Sequence, residues 1–504
     1  MDSICPIGSR CATQISALLT PPSPFQLQEY YHNLLSARQC SGITVKQEGN
    51  FGKGLYADMD FKEGELVLKD PMFVGVQHTL NKIDCLVCSF CFRFIGSIEL
   101  QIGRRLYMQQ LKANDSDGCN VGNSSKHCHD MDSSDEDKSS QQCTSDSSKT
   151  KVPLPEAVVE SLMNGQLVLP FSEKFSLPPA VPCPGGCREA YYCSMSCAEA
   201  DWDSSHSLLC TGESSDPAHR EALLKFIKHA NETNDIFLLA AKAISSTILR
   251  YHKLKAASFE EQLKHNTSCD SNNSNLYFLL EAWKPIWMGH KRRWWDCIAL
   301  PDDVDPSDEA SFRLQIKELA FESLQLLKTA IFDRECEPFF SLEIYGHIIG
   351  MFELNNLDLV VASPVEDYFL YIDDLTYPNK EEVEKITQPI LDALGENYSI
   401  YCEALLKLVL CLYCLNASNL EVKGTAFFPL QSCLNHSCCP NAKAFKRDED
   451  KDGQATIIAQ RSICKGEEIT ISYVDEDLPF EERQASLADY GFRCRCPKCI
   501  EEEP

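Results

Sequence analysis

The chain has 504 residues, a formal net charge of −27 and 27 cysteines. This length predicts two or three folded units, and the acidic balance argues against a protein that binds DNA phosphates over a broad face and favours a basic protein partner. The N-terminus has no basic segment followed by a clean apolar run, and no segment has the ~20 apolar residues that cross a bilayer. The cysteines are therefore expected in a reducing compartment. Abundant thiols there indicate metal binding, because thiolates are soft ligands that zinc binds well.

Residues 1–41 are predicted to be an N-terminal tail without chemistry, because the Pro-rich piece Pro21–Pro24 precedes only a short helical pattern. From Gly42 the sequence changes to β-branched residues broken by glycines, including Gly52-Lys53-Gly54. This pattern predicts two or three short strands with tight turns in residues 42–84.

Four closely spaced pairs of thiol or imidazole ligands follow. They are Cys88 and Cys91, Cys183 and Cys187, Cys193 and Cys197, and His206 and Cys210. Structural zinc takes four such ligands in a tetrahedron, so four pairs suffice for two sites. Cys85, three residues before Cys88, leaves Cys85/Cys88 open as an alternative first pair. Between the first two pairs, residues from about 113 to 151 are rich in Ser, Asp and Asn, which predicts a disordered insert.

Apolar residues recur at helical spacing from Pro217 to Tyr251 and from Ala310 to Phe332, and these stretches are predicted to form amphipathic core helices. The aromatic stretch from Trp283 to Trp295 contains Lys291-Arg292-Arg293. Packing with a solvated basic turn is the favoured interpretation of that stretch, and a binding surface is the alternative.

The C-terminal end holds three motifs in a fixed order. Asn435-His436-Ser437-Cys438 comes first, the segment from Gly466 to Tyr473 follows, and Cys494, Cys496 and Cys499 come last. Short strands are predicted at Thr456–Gln460 and Ile469–Val474, joined by a hairpin or by a tight connection.

On these motifs the chain resembles the SET and MYND domain protein lysine methyltransferases and, within that family, the plant trithorax-related branch. The resemblance implies an α+β fold, with the short β-sheets and pseudoknot of a SET domain. A zinc-binding MYND-like finger at 85–212 and a helical insert with SET core at 213–425 would interrupt that domain. The catalytic part is expected at 426–480 and a post-SET zinc segment at 481–504.

The resemblance also implies roles for single residues. Tyr473 is expected to be catalytic, and Tyr490 to line the channel for the substrate lysine. Contacts to S-adenosylmethionine are expected from Gly52, Lys53, Gly54, Asn435, His436, Tyr473 and Phe492. Gly52 and Gly54 suit a cofactor contact because a backbone without Cβ atoms allows a ligand to approach closely. The alternative is a plain hairpin, which is the more common role of a Gly-Lys-Gly turn taken alone.

The resemblance implies up to three zinc ions. The finger pairs interleave in this family and form two ligand sets, and Cys438 with the C-terminal cysteines forms the third. The expected sets are Cys88, Cys91, Cys193 and Cys197; Cys183, Cys187, His206 and Cys210; and Cys438, Cys494, Cys496 and Cys499. Cys439 competes with Cys438 for the third set, but its place in the motif is normally not a ligand.

The implied function is S-adenosylmethionine-dependent methylation of a lysine in a histone tail, with histone H3 as the first candidate and transcription as the process regulated. The alternatives are a non-histone protein substrate, or a catalytically weak scaffold that recruits partners through the finger. Pro-containing peptides are expected to bind the finger, whereas sequence-specific DNA and membranes are not expected partners. A nuclear location is expected, with the cytoplasm as the alternative, and an end at Pro504 would leave the substrate cleft open.

Overall fold

The computed structural model describes residues 6–47, 52–79, 81–117, 154–265, 271–289, 291–301, 304–395, 422–447 and 449–503. The predicted disordered insert at about 113–151 lies outside these ranges except at its first residues. Helices alternate with short sheets, which confirms the α+β class. Among the described helices, none combines the length and apolar character that a bilayer crossing requires.

Three helices at the N-terminus pack into the main core. They are α1 (Pro6–Arg10), α2 (Ala12–Leu19) and α3 (Pro24–Ala37). Ser23 begins α3 with a reciprocal capping box to Gln26. Leu27, Tyr31 and Leu35, spaced four apart, are buried in the core. The tail predicted for residues 1–41 is therefore wrong in the described part of that range, because this spacing gives α3 an apolar face to bury.

Short strands follow, as predicted for residues 42–84. They are β1 (Ile43–Gln47), β2 (Lys53–Ala57), β3 (Leu66–Asp70) and β4 (Val74–Gln77), with α4 (Asn81–Asp84) behind them. β1 and β2 pair antiparallel, from Ile43 opposite Ala57 to Gln47 opposite Lys53.

The predicted finger range of 85–212 contains two different structures. The cysteine-bearing part comprises β5 (Val181–Pro182), β6 (Tyr191–Tyr192), α7 (Met195–Asp201), a π-helical turn (Trp202–His206) and α8 (Ser207–Leu209). Its small core is built around Tyr192 and the cysteines. By contrast, α5 (Ile98–Asp117) and α6 (Glu156–Met163) pack in a second hydrophobic cluster, where their partners are helices from the predicted insert.

The region predicted as a helical insert with SET core contains eight described helices and one described strand. They are α9 (Pro217–Thr233), α10 (Ile236–His265), α11 (Ser271–Trp287), α12 (Trp294–Cys297), α13 (Glu309–Ile331), α14 (Leu342–Asn355), β7 (Asn356–Val361), α15 (Pro364–Asp373) and α16 (Asn379–Leu394). The two predicted helical stretches are thus confirmed as α9 with α10 and as α13. α15 and α16 complete the second cluster.

The aromatic stretch from Trp283 to Trp295 is part of the core. Trp283, Trp294 and Trp295 are buried. The Lys291 ammonium donates to three backbone carbonyls at the end of α11, those of Ile286, Trp287 and Gly289. The packing part of the favoured interpretation is confirmed. The solvated basic turn is confirmed for Arg292 and Arg293, which are exposed, and is wrong for Lys291.

The remaining strands are β8 (Val422–Phe427), β9 (Asn435–His436), β10 (Ala442–Ala444), β11 (Ala455–Ala459) and β12 (Glu468–Ile471), followed by α17 (Phe480–Ala488) and α18 (Pro497–Glu502). The two strands predicted in this region are confirmed as β11 and β12. They belong to different sheets, so the hairpin alternative is wrong. Both ends of the chain share sheets, whose orders are β1-β2-β12-β9, β10-β11-β3 and β4-β8-β7. One folded unit is thus built from segments on either side of the finger and the helices.

Asp70, at the end of β3, fixes the entry to the C-terminal motifs. Its fully buried carboxylate accepts from the backbone amides of Leu430 and Gln431 at 2.7 and 2.8 Å. It also pairs with Arg38, directly after α3. The N-terminal helices therefore help to position the loop that leads into β9.

Candidate active site

Strand β12 brings the two distant motifs side by side. It pairs antiparallel with β2, with Ile469 opposite Leu55, and parallel with β9, with Thr470 opposite Asn435. The amide of Asn435 consequently reaches the carbonyl of Lys53, 382 residues earlier in the chain, at 3.2 Å. The Gly-Lys-Gly turn and the Asn-His pair therefore lie side by side.

The two glycines of this turn serve different physical needs. A Cβ at Gly54 would lie 2.6 Å from Glu468 Oε1 and 3.2 Å from Asn435 Nδ2, so a side chain has no room. Gly52 has open space around it but a φ of +84°, a conformation that L side chains rarely adopt. The side chain of Lys53 is bound on α3 and after α11: its ammonium donates to the Tyr31 hydroxyl at 3.0 Å and to the Met288 carbonyl at 2.9 Å.

Two polar residues that the sequence analysis did not single out hold this turn in place. Glu468 accepts from the Asn435 amide at 2.7 Å. Asn441 is buried, accepts from the Thr470 amide at 2.8 Å and donates to the Glu468 carbonyl at 2.8 Å. Both lie inside the recognised motifs, so their positions were visible in the sequence but their partners were not.

Four aromatic rings form a cluster beside this turn. The ring of Tyr473 lies 5.4 Å from His436, 5.2 Å from Tyr490 and 6.4 Å from Phe492, and His436 lies 5.8 Å from Phe492. The Tyr473 hydroxyl donates to the Leu434 carbonyl at 2.5 Å. Burial raises the pKa of Tyr473, so its hydroxyl stays protonated. Tyr490 and Phe492 are 37% and 38% exposed, which leaves ring surface free for a ligand.

His436 is held as a neutral imidazole. Its Nδ1 accepts from the Tyr473 amide at 3.0 Å, which assigns the proton to Nε2, 3.2 Å from Cys438 Sγ. Burial, with the Arg483 guanidinium adding to it, lowers the pKa of His436 to about 4. The ring therefore links the aromatic cluster to the C-terminal cysteines without carrying a charge.

Carboxylates lie around the outer end of the aromatic cluster. Burial raises the pKa of Tyr490, and Asp489, Asp358 and Glu353 raise it further. Glu353 accepts from the Trp294 indole at 3.1 Å, and burial raises its own pKa. The Arg292 guanidinium also lies at this end of the cluster, since a Cβ at Gly491 would be 3.2 Å from its Nη1. The charges near Tyr490 are therefore mixed, with three carboxylates and one guanidinium.

Three groups of cysteine and histidine ligands are assembled as the resemblance implied, and within each group the ligand atoms lie within 4.8 Å of one another. The groups are Cys88, Cys91, Cys193 and Cys197; Cys183, Cys187, His206 and Cys210; and Cys438, Cys494, Cys496 and Cys499. Neither alternative ligand belongs to a group. Cys85 lies beside Asn81, with its sulfur 3.8 Å from Nδ2, and Cys439 is exposed.

Arg483 lies against the C-terminal group, a contact that the sequence analysis missed. It is 1% exposed, its Nη2 lies 3.8 Å from Cys499 Sγ, and it pairs with Glu502. Gln484 donates to the same sulfur at 3.2 Å. The positive charge of a buried guanidinium stabilises the thiolate form of the neighbouring cysteines. Arg483 is far from Cys438 in the sequence, so the motifs gave no sign of this contact.

Comparison with known proteins gives consistent results. The family model described as the SET domain matches residues 52–474. The chain is 60% identical over 505 residues to "Histone-lysine N-methyltransferase ATXR2" of Arabidopsis thaliana, covering 100% of this chain and 99% of that protein. It is 24% identical over 363 residues to "Protein-lysine N-trimethyltransferase SMYD5" of Gallus gallus, covering 67% and 70%. With "N-lysine methyltransferase SMYD2" of Homo sapiens it shares 23% identity over 238 residues, covering 47% and 48%.

Proposed function

Because the chain belongs to the SET domain family of S-adenosylmethionine-dependent protein lysine methyltransferases, we propose that its substrate is a histone tail, with histone H3 as the first candidate. The observation that carries this proposal is full-length identity of 60% with a protein named as a histone-lysine methyltransferase. A histone substrate implies action in the nucleus and an effect on transcription, with a cytoplasmic pool as the alternative.

We propose that the cofactor lies against Gly52, Lys53, Gly54, Asn435, His436, Tyr473 and Phe492. The residues fit such a ligand, because the glycine turn offers bare backbone and Phe492 offers an exposed ring face beside His436. When bound, S-adenosylmethionine supplies an electrophilic methyl group. Asn435 can hold the loop around it, because its amide is fixed by Glu468 and Lys53.

Tyr473 and Tyr490 would form the walls of the lysine channel. A lysine with a pKa of ~10.4 is protonated at neutral pH, and removing that proton costs roughly 4–5 kcal/mol at pH 7. Aromatic walls that exclude water once the substrate is bound would disfavour the ammonium and reduce this cost. The Tyr473 hydroxyl already donates to the Leu434 carbonyl, so its oxygen remains free to accept from the substrate amine and align it. The carboxylates near Tyr490 would attract the cationic side chain to the entrance.

Each cysteine group has the composition of a structural zinc site. Two groups contain four cysteines and one contains three cysteines with a histidine, and zinc prefers four soft ligands of these types. We therefore propose three zinc ions per chain. Zinc at the third group would join Cys438, next to the Asn-His pair, to the segment that carries Tyr490 and Phe492. For the first finger site, Cys91→Ala is expected to lower the zinc content by one, and Cys85→Ala is the matched control.

A non-histone substrate is the second candidate, because two relatives at 23–24% identity are named as a protein-lysine and an N-lysine methyltransferase, without mention of histones. The finger is proposed to bind Pro-containing peptides of partner proteins. A catalytically weak scaffold is disfavoured, since Asn435 and His436 lie on β9 beside β12 and the Tyr473 amide donates to His436.

The deciding experiment is methyl transfer from labelled S-adenosylmethionine by the full-length, zinc-loaded chain. Histone octamers, an H3 tail peptide and a nuclear-protein mixture depleted of histones are offered in parallel. Transfer to H3 that disappears in Tyr473→Phe supports the proposal. Transfer only to the depleted mixture would move the assignment to a non-histone substrate, and no transfer by well-folded protein would favour the scaffold.

A further inference from the structure

A cavity of about 230 Å³ lies away from the aromatic cluster, at the junction of the finger with β4, α9 and α10. The finger contributes the segment from Arg188 to Tyr191, together with His206 and Leu209, and β4 contributes Val76 and Gln77. No role in methyl transfer involves this space, because the residues proposed to bind the cofactor and the substrate lysine do not line it.

The lining is positively charged although the whole chain is strongly acidic. Lys82, Arg104, Arg188 and Lys242 contribute four cations, and Glu189 and Asp201 contribute two carboxylates. The carboxylate of Asp201 is already engaged, since it accepts from the Tyr192 hydroxyl at 2.9 Å and the Ser205 hydroxyl at 3.1 Å. With four cations and two carboxylates, the lining has an excess of two positive charges.

One of the cations is incompletely satisfied, and a second is penalised by burial. Arg104 Nε is a buried donor without a hydrogen-bond partner in the described part of the chain, although Arg104 Nη2 donates to the Lys82 carbonyl at 3.3 Å. Burial lowers the pKa of Lys82. Lys242 adds to this shift, and Glu189, Asp235 and Cys187 oppose it. A buried donor without a partner costs roughly 1–3 kcal/mol, so an anion in the cavity would relieve an existing penalty.

Much of the remaining lining is apolar. Leu86 and Phe92 contribute from the first cysteine segment, Leu223 and Phe226 from α9, and Leu238 from α10. Pockets for drug-sized ligands usually measure about 300–1,000 Å³, so this volume suits a smaller molecule. The lining thus combines cationic groups with apolar surface.

We propose that this cavity binds a small amphipathic anion, a carboxylate or a phosphate ester on an apolar body. Its anionic group would lie between Lys82 and Arg104, and its apolar part against α9 and α10. A ligand held there would contact the finger and the helices at once and would stabilise their mutual position. The proposal is independent of the substrate of methylation.

The test uses calorimetric titration of the full-length, zinc-loaded chain with S-adenosylhomocysteine present to fill the cofactor pocket. The probes are 4-phenylbutyrate and phenyl phosphate, and 4-phenylbutanol is the neutral match. At least one anionic probe is expected to bind at least about tenfold more tightly than the alcohol. Which anion binds better distinguishes a carboxylate from a phosphate ligand.

The double variant Lys82→Met/Arg104→Met is expected to weaken anion binding by about tenfold or more, since it removes both charged donors. Lys228→Met, an exposed lysine on α9, is the matched control and should bind like the unmodified protein. If the double variant does not fold, as judged by zinc content and circular dichroism, Lys82→Gln replaces it. Equal binding of alcohol and anions, equal binding by the folded variant, or no anion binding at millimolar concentration would overturn the proposal.

Discussion

Asn435 and Glu468 are joined by a hydrogen bond of 2.7 Å between Nδ2 and Oε1. The second proton of the same amide reaches the Lys53 carbonyl, so one side chain connects β9, β12 and β2. The charge on Glu468 fixes which way the amide points, because a carboxylate only accepts. The shape of the proposed cofactor pocket therefore depends on a carboxylate from the sheet beneath it.

Glu468→Ala is expected to weaken S-adenosylmethionine binding by about tenfold or more, because a hydrogen bond to a charged group contributes about 1.5–3 kcal/mol. Calorimetric titration of the purified variant measures the effect. Glu481→Ala, an exposed carboxylate at the start of α17, is the control. Equal affinity in the Glu468 and Glu481 variants would show that the Asn435 amide needs no such partner.

The two glycines of the Gly52–Gly54 turn should respond differently to alanine. Gly54→Ala places a methyl group 2.6 Å from Glu468 Oε1 and 3.2 Å from Asn435 Nδ2, so it should displace both and lower cofactor affinity by at least about tenfold. Gly52→Ala meets no atom and incurs only the strain of its positive φ, about 1–2 kcal/mol. The measurement is cofactor affinity together with the melting temperature; a larger affinity loss in Gly52→Ala would contradict this difference.

The contacts that the sequence predicted best are those between residues that are close in sequence or that belong to a recognised motif. Cys193 and Cys197, for example, are four residues apart and can chelate from one turn, so their spacing alone indicated a ligand pair. Tyr31 and Lys53 show the opposite case, because their hydrogen bond depends on how α3 packs on the sheet. Residues 6–37 were misjudged for the same reason: prolines suggested a tail, while the buried stripe of α3 becomes decisive only against its tertiary partner.

Tyr473→Phe is expected to lower kcat by about a hundredfold or more and to change cofactor affinity little. The ring, which packs against His436 and Tyr490, is retained, and only the hydroxyl that would align the amine is lost. Single-turnover rates and cofactor titration separate the two effects. Tyr490→Phe serves as the comparison and should retain most activity, since its hydroxyl has no assigned contact with the amine; full activity of Tyr473→Phe would refute the catalytic assignment.

The pH profile should report the substrate lysine and not the enzyme. The pKa of His436 is lowered to about 4 and that of Tyr473 is raised, so neither group changes its charge between pH 6 and 9. The neutral fraction of a lysine with pKa ~10.4 increases about tenfold per pH unit below that value. Under subsaturating peptide, kcat/KM should therefore rise continuously from pH 7 to 9. An inflection near the ordinary histidine pKa of ~6.5 would show that His436 titrates in the free enzyme.

The adjacent thiols of Cys438 and Cys439 provide a matched test of the third metal site. Cys438 is buried, and its sulfur lies 3.5 Å from Cys499 Sγ, whereas Cys439 is exposed and outside the group. Cys438→Ser should lower zinc from three to two per chain by elemental analysis, and Cys439→Ser should leave it unchanged. Because His436 Nε2 lies 3.2 Å from Cys438 Sγ, losing this ligand should also weaken cofactor binding. The opposite zinc contents would make Cys439 the ligand. Three zinc ions in both variants would show that the third site needs neither thiol, and two zinc ions in the unmodified chain and in both variants would remove the third site altogether.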